Sequence, residues 1–267
     1  MTFDGKTAWV TGASSGIGAA LARELASRGA GVILSGRDRD RLQQVAAGLG
    51  TETLILPFDV SDEPAMLSAT EQAVDWHNGV DIFFANAGIS QRSKAIDTAM
   101  EVYRQIIDVD LTAQIAATQA LLPHMAERGS GSLVFISSIA GKVGVPLRTA
   151  YCAAKHGLIG YADALRAELS QTGVNVHVVC PGSVATDVSR NALTADGSAR
   201  RKSDKAIDNG IPANDAAARV LNAIALNQRE IIVAEGMEEA MGELRRTPDQ
   251  LLDQVAAMVS RGYMERL

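Results

Sequence analysis

Short apolar, β-branched runs at residues 7–10, 32–35, 54–58, 82–85, 133–137, 174–180 and 231–234 are separated by longer stretches with helical spacing. Several runs are apolar throughout rather than alternating, as in strands covered on both faces, and strand–helix alternation implies parallel βαβ units. The predicted fold is an α/β, doubly wound, mostly seven-stranded parallel sheet in a single domain over 1–267, with right-handed crossovers. Between the fourth and fifth runs, Ile106, Ile107, Leu111, Ile115, Ala116, Leu121 and Leu122 recur at helical spacing up to Pro123, which predicts a helix buried against the sheet. From 187 to 212 Ser, Asn, Asp, Gly and charge replace the periodicity, and a segment of that length suits a mobile substrate lid. The basic run Arg200, Arg201, Lys202 inside it reads first as a solvated face. Thr247 and Pro248 form an N-cap and N1 pair, and Leu251, Leu252, Val255, Met258 and Val259 then predict an amphipathic helix over about 248–262.

Composition narrows the function classes. The 267 residues are 47% hydrophobic with 24 Gly, the make-up of an ordered globular chain, and the net charge of −6 argues against nucleic acid or an anionic membrane as the main partner. Cys152 and Cys180 have no CxxC spacing, and His77, His124, His156 and His177 share no ligand spacing, so neither a disulfide framework nor a metal site is expected. Too few residues precede the first apolar run to hold a typical signal peptide, and no apolar run is long enough to span a bilayer. A cytoplasmic location is the expectation.

Directly after the first strand comes TGASSGIG, Thr11 to Gly18, followed by an Ala/Leu-rich helix. Gly12 and Gly16 allow a sharp turn and close approach to a pyrophosphate, Gly18 allows close helix–strand packing, and Ser14, Ser15 and Ile17 complete a turn whose helix start offers amides to phosphate. This is a dinucleotide site of the Rossmann type. Residues ending the second strand discriminate the cofactors: Asp or Glu binds a ribose 2′-hydroxyl, whereas Arg attracts a 2′-phosphate. Here Ser35-Gly36-Arg37-Asp38 leaves the acid position empty, so Arg37 favours NADP(H) over NAD(H), the counter-reading being that Asp38 reaches the ribose while Arg37 is solvated.

Tyr151 and Lys155 are four apart at the start of a helical stretch, so both project from one face about 6 Å apart along the axis. An ammonium there favours phenolate over phenol, as an acid/base tyrosine requires. Ser138, at the end of the fifth strand, is placed to hold a substrate oxygen beside the phenol, although a serine there also serves as a turn former.

Taken with Asp59-Val60, Asn86-Ala87-Gly88 and Pro181-Gly182-Ser183-Val184-Ala185-Thr186, these motifs resemble the short-chain dehydrogenase/reductase family over nearly the whole chain. The resemblance implies that Asp59 and Val60 contact adenine, and that Asn86, Ala87 and Gly88 support the central strand and the adenosine ribose. It implies that Lys155 holds the nicotinamide ribose, that Val184 and Thr186, after Pro181 and Gly182, contact the carboxamide, and that Tyr151 transfers the proton while Ser138 orients the carbonyl. Where the family usually has Asn in a proton relay, this chain has Asp110, which is either a relay member or a locally satisfied helix residue. Self-association as a tetramer or dimer through the helices over 106–122 and 150–169 is also implied.

The function expected is an NADP(H)-dependent oxidoreductase interconverting a secondary alcohol and a ketone. Alternatives are a catalytically silent NADP(H)-binding regulator or assembly partner, which has no need of the Ser138, Tyr151 and Lys155 set, and a nucleotide-binding transferase, which does not explain the Tyr/Lys pair. The pocket is expected over 89–93, over 139–148 and in the segment after Thr186, mixing Val143, Val145 and Leu147 with Arg92, Lys142 and Arg148. A medium-sized, partly apolar carbonyl compound fits that mixture.

Overall fold

Strand β1 (Thr7–Thr11) is buried along its whole length, and its residues divide between two cores. Ala8 and Val10 join one apolar cluster and Trp9 the other, which is the period-two alternation of a sheet covered on both faces. Trp9 packs on Phe83 with ring centroids 5.1 Å apart, and its indole N–H donates to Ser35 Oγ at 2.8 Å. Removing such a ring from water contributes about 5 kcal/mol, and its one polar group is satisfied.

The computed structural model describes residues 2–262; Met1 and 263–267, the ends of the expected domain span, lie outside the described residues. After β1 come α1 (Gly16–Ser27), β2 (Gly31–Gly36), α2 (Arg39–Ala46), β3 (Thr53–Pro57), α3 (Glu63–Asp75), β4 (Ile82–Ala85) and α4 (Met100–Ile107). A wide π-type turn, Asp108–Thr112, joins α4 to α5 (Ala113–Arg128). Next follow β5 (Gly131–Ile136), α6 (Thr149–Glu168), β6 (Val174–Pro181), β7 (Val184–Ala185), α7 (Lys205–Asp208) and β8 (Ile211–Pro212). The chain continues through α8 (Ala213–Ala225), β9 (Glu230–Val233), α9 (Gly236–Leu244) and α10 (Asp249–Ser260).

Seven parallel strands lie in the order β3-β2-β1-β4-β5-β6-β9. This is the doubly wound, Rossmann-type sheet, with α1, α2 and α8 on one face and α3, α5 and α6 on the other. Chain direction across the sheet reverses between β1 and β4, and the loops there diverge and leave a crevice at the carboxyl ends of the strands. The short pair β7 and β8, a separate two-stranded ladder that the hydrophobic pattern did not show, ties the far end of the 187–212 segment to the chain just after β6.

Three sequence expectations need correction. Helix α5 does not stop where the apolar spacing reaches Pro123 but continues to Arg128, because Leu121 and Met125 are both fully buried and hold the last turns against the sheet. The predicted stripe on α10 is split: Leu252 is buried, while Leu251, Val255 and Met258 face solvent. Arg200 is not a solvated residue, since its guanidinium pairs with Asp204 at 2.5 Å.

Candidate active site

The crevice is a cleft of about 470 Å³ lined from the glycine turn to the start of α6. It gathers the expected cofactor and catalytic residues, with Gly12, Ser14, Ser15, Gly16, Ile17, Gly18 and Arg37 at one end, Asp59, Val60, Asn86, Ala87 and Gly88 along the middle, and Asp110, Ser138, Tyr151, Lys155, Pro181, Gly182, Val184 and Thr186 at the other, whereas Arg92, Lys142, Val143, Val145, Leu147 and Arg148, expected in the substrate pocket, do not line it.

The floor under the glycine turn is built by close backbone approach. Gly12 has φ +65°, and a Cβ there would lie 2.8 Å from Ala87 Cα; a Cβ on Gly18 would lie 2.3 Å from Gly12 O. Gly12 therefore serves the packing of β1 against the loop after β4 as much as any ligand. Thr11 Oγ1 donates to Phe84 O at 3.1 Å and accepts from Asn86 N and Ala87 N. Asn86 Nδ2 donates to Thr11 O at 2.8 Å. The N-cap of α1, Ser15, makes no side-chain capping bond, so the positive end of that helix is left open where Ser15 to Gly18 line the cleft. An open helix N-terminus above a glycine floor fits a pyrophosphate.

At the end of the cleft beyond the glycine turn, Arg37 is 74% exposed and stands 3.8 Å from Asp59. Asp38 is committed elsewhere, capping α2 by accepting from Arg41 N at 3.0 Å. Asp59 Oδ1 accepts from the amide and hydroxyl of Ser61, and Asp62 caps α3.

At the other end Ser138 opens the turn after β5, accepting from Ala140 N at 3.1 Å and donating to Pro181 O at 3.3 Å. Tyr151 lies in the first turn of α6, half-buried, with Lys155 Nζ 5.6 Å from its ring centre. Lys155 donates to Ile136 O at 3.0 Å and forms an ion pair with Asp110 Oδ2 at 3.3 Å. Asp110 Oδ1 accepts from Ile89 N at 2.8 Å, but Oδ2 has no aligned hydrogen bond. Burial pushes the Asp110 carboxyl above its ordinary value against the pull of Lys155 and Ile89 N. Burial alone would lower Lys155, but Asp110 and then Tyr151 outweigh it and hold the ammonium above its usual range.

Several supporting residues escaped the sequence reading. Gln114 is buried and its Nε2 donates both to Ala87 O at 2.8 Å and to Val109 O at 2.9 Å, joining the loop after β4 to the π turn. Its position four residues after Asp110 on an otherwise apolar face was the available signal. Ser137 Oγ donates to Lys155 O at 3.0 Å. Lys142, expected in the pocket, is instead buried in an ion pair with Glu230, with Arg245 O accepting a further bond at 3.2 Å, so it fastens the end of α9 rather than facing a substrate. Arg92 and Arg148 also turn to Asp204 in the 187–212 segment, Arg92 at 2.6 Å and Arg148 at 3.9 Å. Arg200 and Arg92 hold the Asp204 carboxyl low against its burial.

Among the described residues no group of three His, Cys, Asp or Glu side chains is placed to hold a metal ion, and no helix is long and apolar enough to cross a membrane.

A family model described as short chain dehydrogenase matches residues 6–197. The chain is 38% identical over 238 residues to Dehydrogenase/reductase SDR family member 7B of Danio rerio, covering 86% of this chain and 77% of the relative. Its fold matches that of a short chain dehydrogenase/reductase from Burkholderia phymatum solved in complex with NAD, with TM-score 0.82 at 23% identity over 93% of this chain and 98% of that one. Levodione reductase superposes with TM-score 0.79 at 25% identity, over 89% of this chain and 99% of that one.

Proposed function

The chain belongs to the short-chain dehydrogenase/reductase family and is an NAD(P)-dependent oxidoreductase; from that premise we propose that it uses NADP(H) to interconvert a secondary alcohol and a ketone. The observation that carries this reading is the meeting of Ser138, Tyr151 and Lys155 at one end of a cleft whose other end is the open start of α1. The cofactor, when bound, supplies or accepts the hydride. Gly12 to Gly18 would hold its pyrophosphate, Asp59 and Val60 its adenine, and Val184 and Thr186 its carboxamide.

In this reading Tyr151 gives the proton to the carbonyl oxygen or takes it from the alcohol, and Ser138 Oγ orients that oxygen. Lys155, held by Ile136 O and Asp110, presents a permanent ammonium beside the phenol and the ribose. Asp110 joins the set through Lys155 as a member of the proton relay. For the cofactor choice, the support is local: Arg37 is exposed, with only a long ion pair to Asp59 at 3.8 Å, while Asp38 is occupied as a helix cap. A carboxylate engaged with its own helix is a poor partner for a ribose 2′-hydroxyl, and an exposed guanidinium suits a 2′-phosphate.

The same reading takes the 187–212 segment as a substrate lid held by Asp204, and the enzyme as a cytoplasmic homodimer or homotetramer. The test is to follow the near-ultraviolet absorbance of NADPH and of NADH against a panel of ketones. NADPH consumed in proportion to ketone supports the proposal; binding of NADPH without any turnover across the panel would favour a silent binding protein, and NADH used in preference would overturn the cofactor choice.

A further inference from the structure

The segment 181–186 and the turn after Ser138 both rest on helix α9. Ser183 donates through its backbone amide to Glu238 Oε2 at 2.6 Å and through its hydroxyl to Glu238 Oε1 at 2.9 Å. The neighbouring glycine makes that approach possible, because a Cβ on Gly182 would lie 2.4 Å from Glu238 Oε2. The carbonyl of Ser183 accepts from Ile211 N at 2.9 Å. All three polar groups of this one residue are therefore engaged, two by α9 and one by the far end of the 187–212 segment. Just over one turn along α9, Gly242 sits against Ile139, where a Cβ would lie 2.7 Å from Ile139 Cδ1. Ile139 follows Ser138, whose hydroxyl donates to Pro181 O. The contacts close a ring that runs from Ser138 through Pro181 and Ser183 to Glu238, along α9 to Gly242, and back through Ile139.

We propose that Glu238 is a positioning residue for the nicotinamide end of the cleft, holding the backbone of 182–186 so that Val184 and Thr186 present a fixed surface to the ring. This rests on the reading of the cleft as an NAD(P) site. Both donors on Ser183 go to one carboxylate, and charge-assisted bonds of this kind are about twice as strong as neutral ones. Without them the segment is held by Ser138 Oγ on Pro181 O, by Gly182 N on Val233 O, by the buried Val184 side chain and by the two-residue pairing of β7 with β8. So short a ladder is a weak restraint by itself. A glutamine at this position keeps the arrangement, since its carbonyl accepts from the Ser183 amide and its NH₂ donates to the Ser183 hydroxyl. An alanine does not.

The test needs no substrate. NADPH and NADH are titrated separately into the full-length wild-type chain by dihydronicotinamide fluorescence, and the tighter is carried forward with its adenine half, ADP-ribose or ADP-ribose 2′-phosphate, as control. Failure of both to bind would remove the cofactor-site reading itself, and is thereby distinguished from failure of this proposal. With Glu238→Ala, affinity for the whole cofactor should fall about tenfold and the fluorescence enhancement on binding should drop, while the adenine half binds within about twofold of wild type. Glu238→Gln should restore both readings to within about threefold. If Glu238→Ala does not fold, as judged by its melting transition, Ser183→Ala removes the hydroxyl bond alone and should give a smaller loss in the same direction. Equal weakening of the cofactor and its adenine half, an unchanged fluorescence enhancement, or a glutamine variant as impaired as the alanine one would each overturn the proposal.

Discussion

Asp110→Asn is expected to stabilise the protein at neutral pH, although it breaks a buried ion pair. The carboxylate is fully buried and stands 3.3 Å from Lys155 Nζ. Unit charges at that distance attract by about 5 kcal/mol at an effective dielectric of ~20, against a desolvation penalty of several kcal/mol for each ion. The balance differs for the two partners. For Asp110 burial outweighs the attraction and raises the carboxyl, in keeping with an Oδ2 that lacks an aligned donor; for Lys155 the attraction of Asp110, with Tyr151, outweighs burial. The ionised carboxylate is therefore a net cost and the ammonium is not. A carboxyl whose folded pKa lies above its unfolded value contributes stability that is full below the unfolded pKa and is lost as pH rises through the folded one. Asparagine, which does not titrate and keeps an acceptor for Ile89 N, escapes that loss. Urea unfolding followed by far-ultraviolet circular dichroism should show the two proteins nearly equal at about pH 4 and the variant ahead at about pH 7. Lys155→Met should behave oppositely. It leaves the carboxylate without a countercharge, and the loss is bounded near 4 kcal/mol by the work of protonating a group of ordinary pKa 3.8 at pH 7. The double variant should recover most of that loss. An Asp110→Asn protein less stable than wild type at neutral pH, or additive losses in the double variant, would refute the balance drawn here.

Tyr151→Phe should abolish turnover in the NADPH absorbance assay while leaving cofactor affinity within about threefold, because it removes the transferable proton and little surface. Arg37→Ala should weaken NADPH binding about tenfold and NADH binding hardly at all, with the difference shrinking as salt is raised, since the guanidinium is exposed; isothermal titration of both cofactors at two salt concentrations reads it directly. His177 is buried, donates from Nδ1 to Gln228 O at 2.7 Å and is held below its ordinary value by burial. Its unfolded form binds protons more readily, so its contribution is present above about pH 6.5 and lost as pH falls through the folded value. His177→Gln should flatten the acid side of the melting-temperature profile between about pH 7 and 5, and an unchanged slope would exclude this residue as its source.

Much of the fold was legible because the sheet is covered on both faces. Each strand of the main sheet overlaps an apolar run within two residues at either end, for instance β4 at 82–85 and β6 at Val174–Pro181 against a run at 174–180. The glycine turn was legible for a related reason: Gly12 and Gly18 are required by backbone contacts between β1, α1 and the loop after β4. What stayed hidden were features without period. A two-residue pairing such as β7 with β8 leaves no hydrophobic signature, and the π turn looks in sequence like an uninterrupted helix, since one extra residue only rotates the apolar face.

Charged residues were the least legible of all, because a surface period and a buried pair are written with the same letters. Arg200 looked solvated although its partner Asp204 lies only four residues on, and Lys142 looked like a pocket residue until Glu230 was brought to it across the fold. Asp110 is the sharpest case, since it was noticed only as a departure from a family pattern. If its ionised form is a stability cost, in line with its full burial, an Oδ2 without an aligned donor and the upward push of burial on its carboxyl, then asparagine would fold at least as well there. Folding alone gives no reason for a carboxylate at that position. What the carboxylate does, and an amide does not, is hold Lys155 protonated within 5.6 Å of the Tyr151 ring. On the proposed mechanism, the cost at Asp110 is what keeps a positive charge in place beside Tyr151, the group proposed to move the proton.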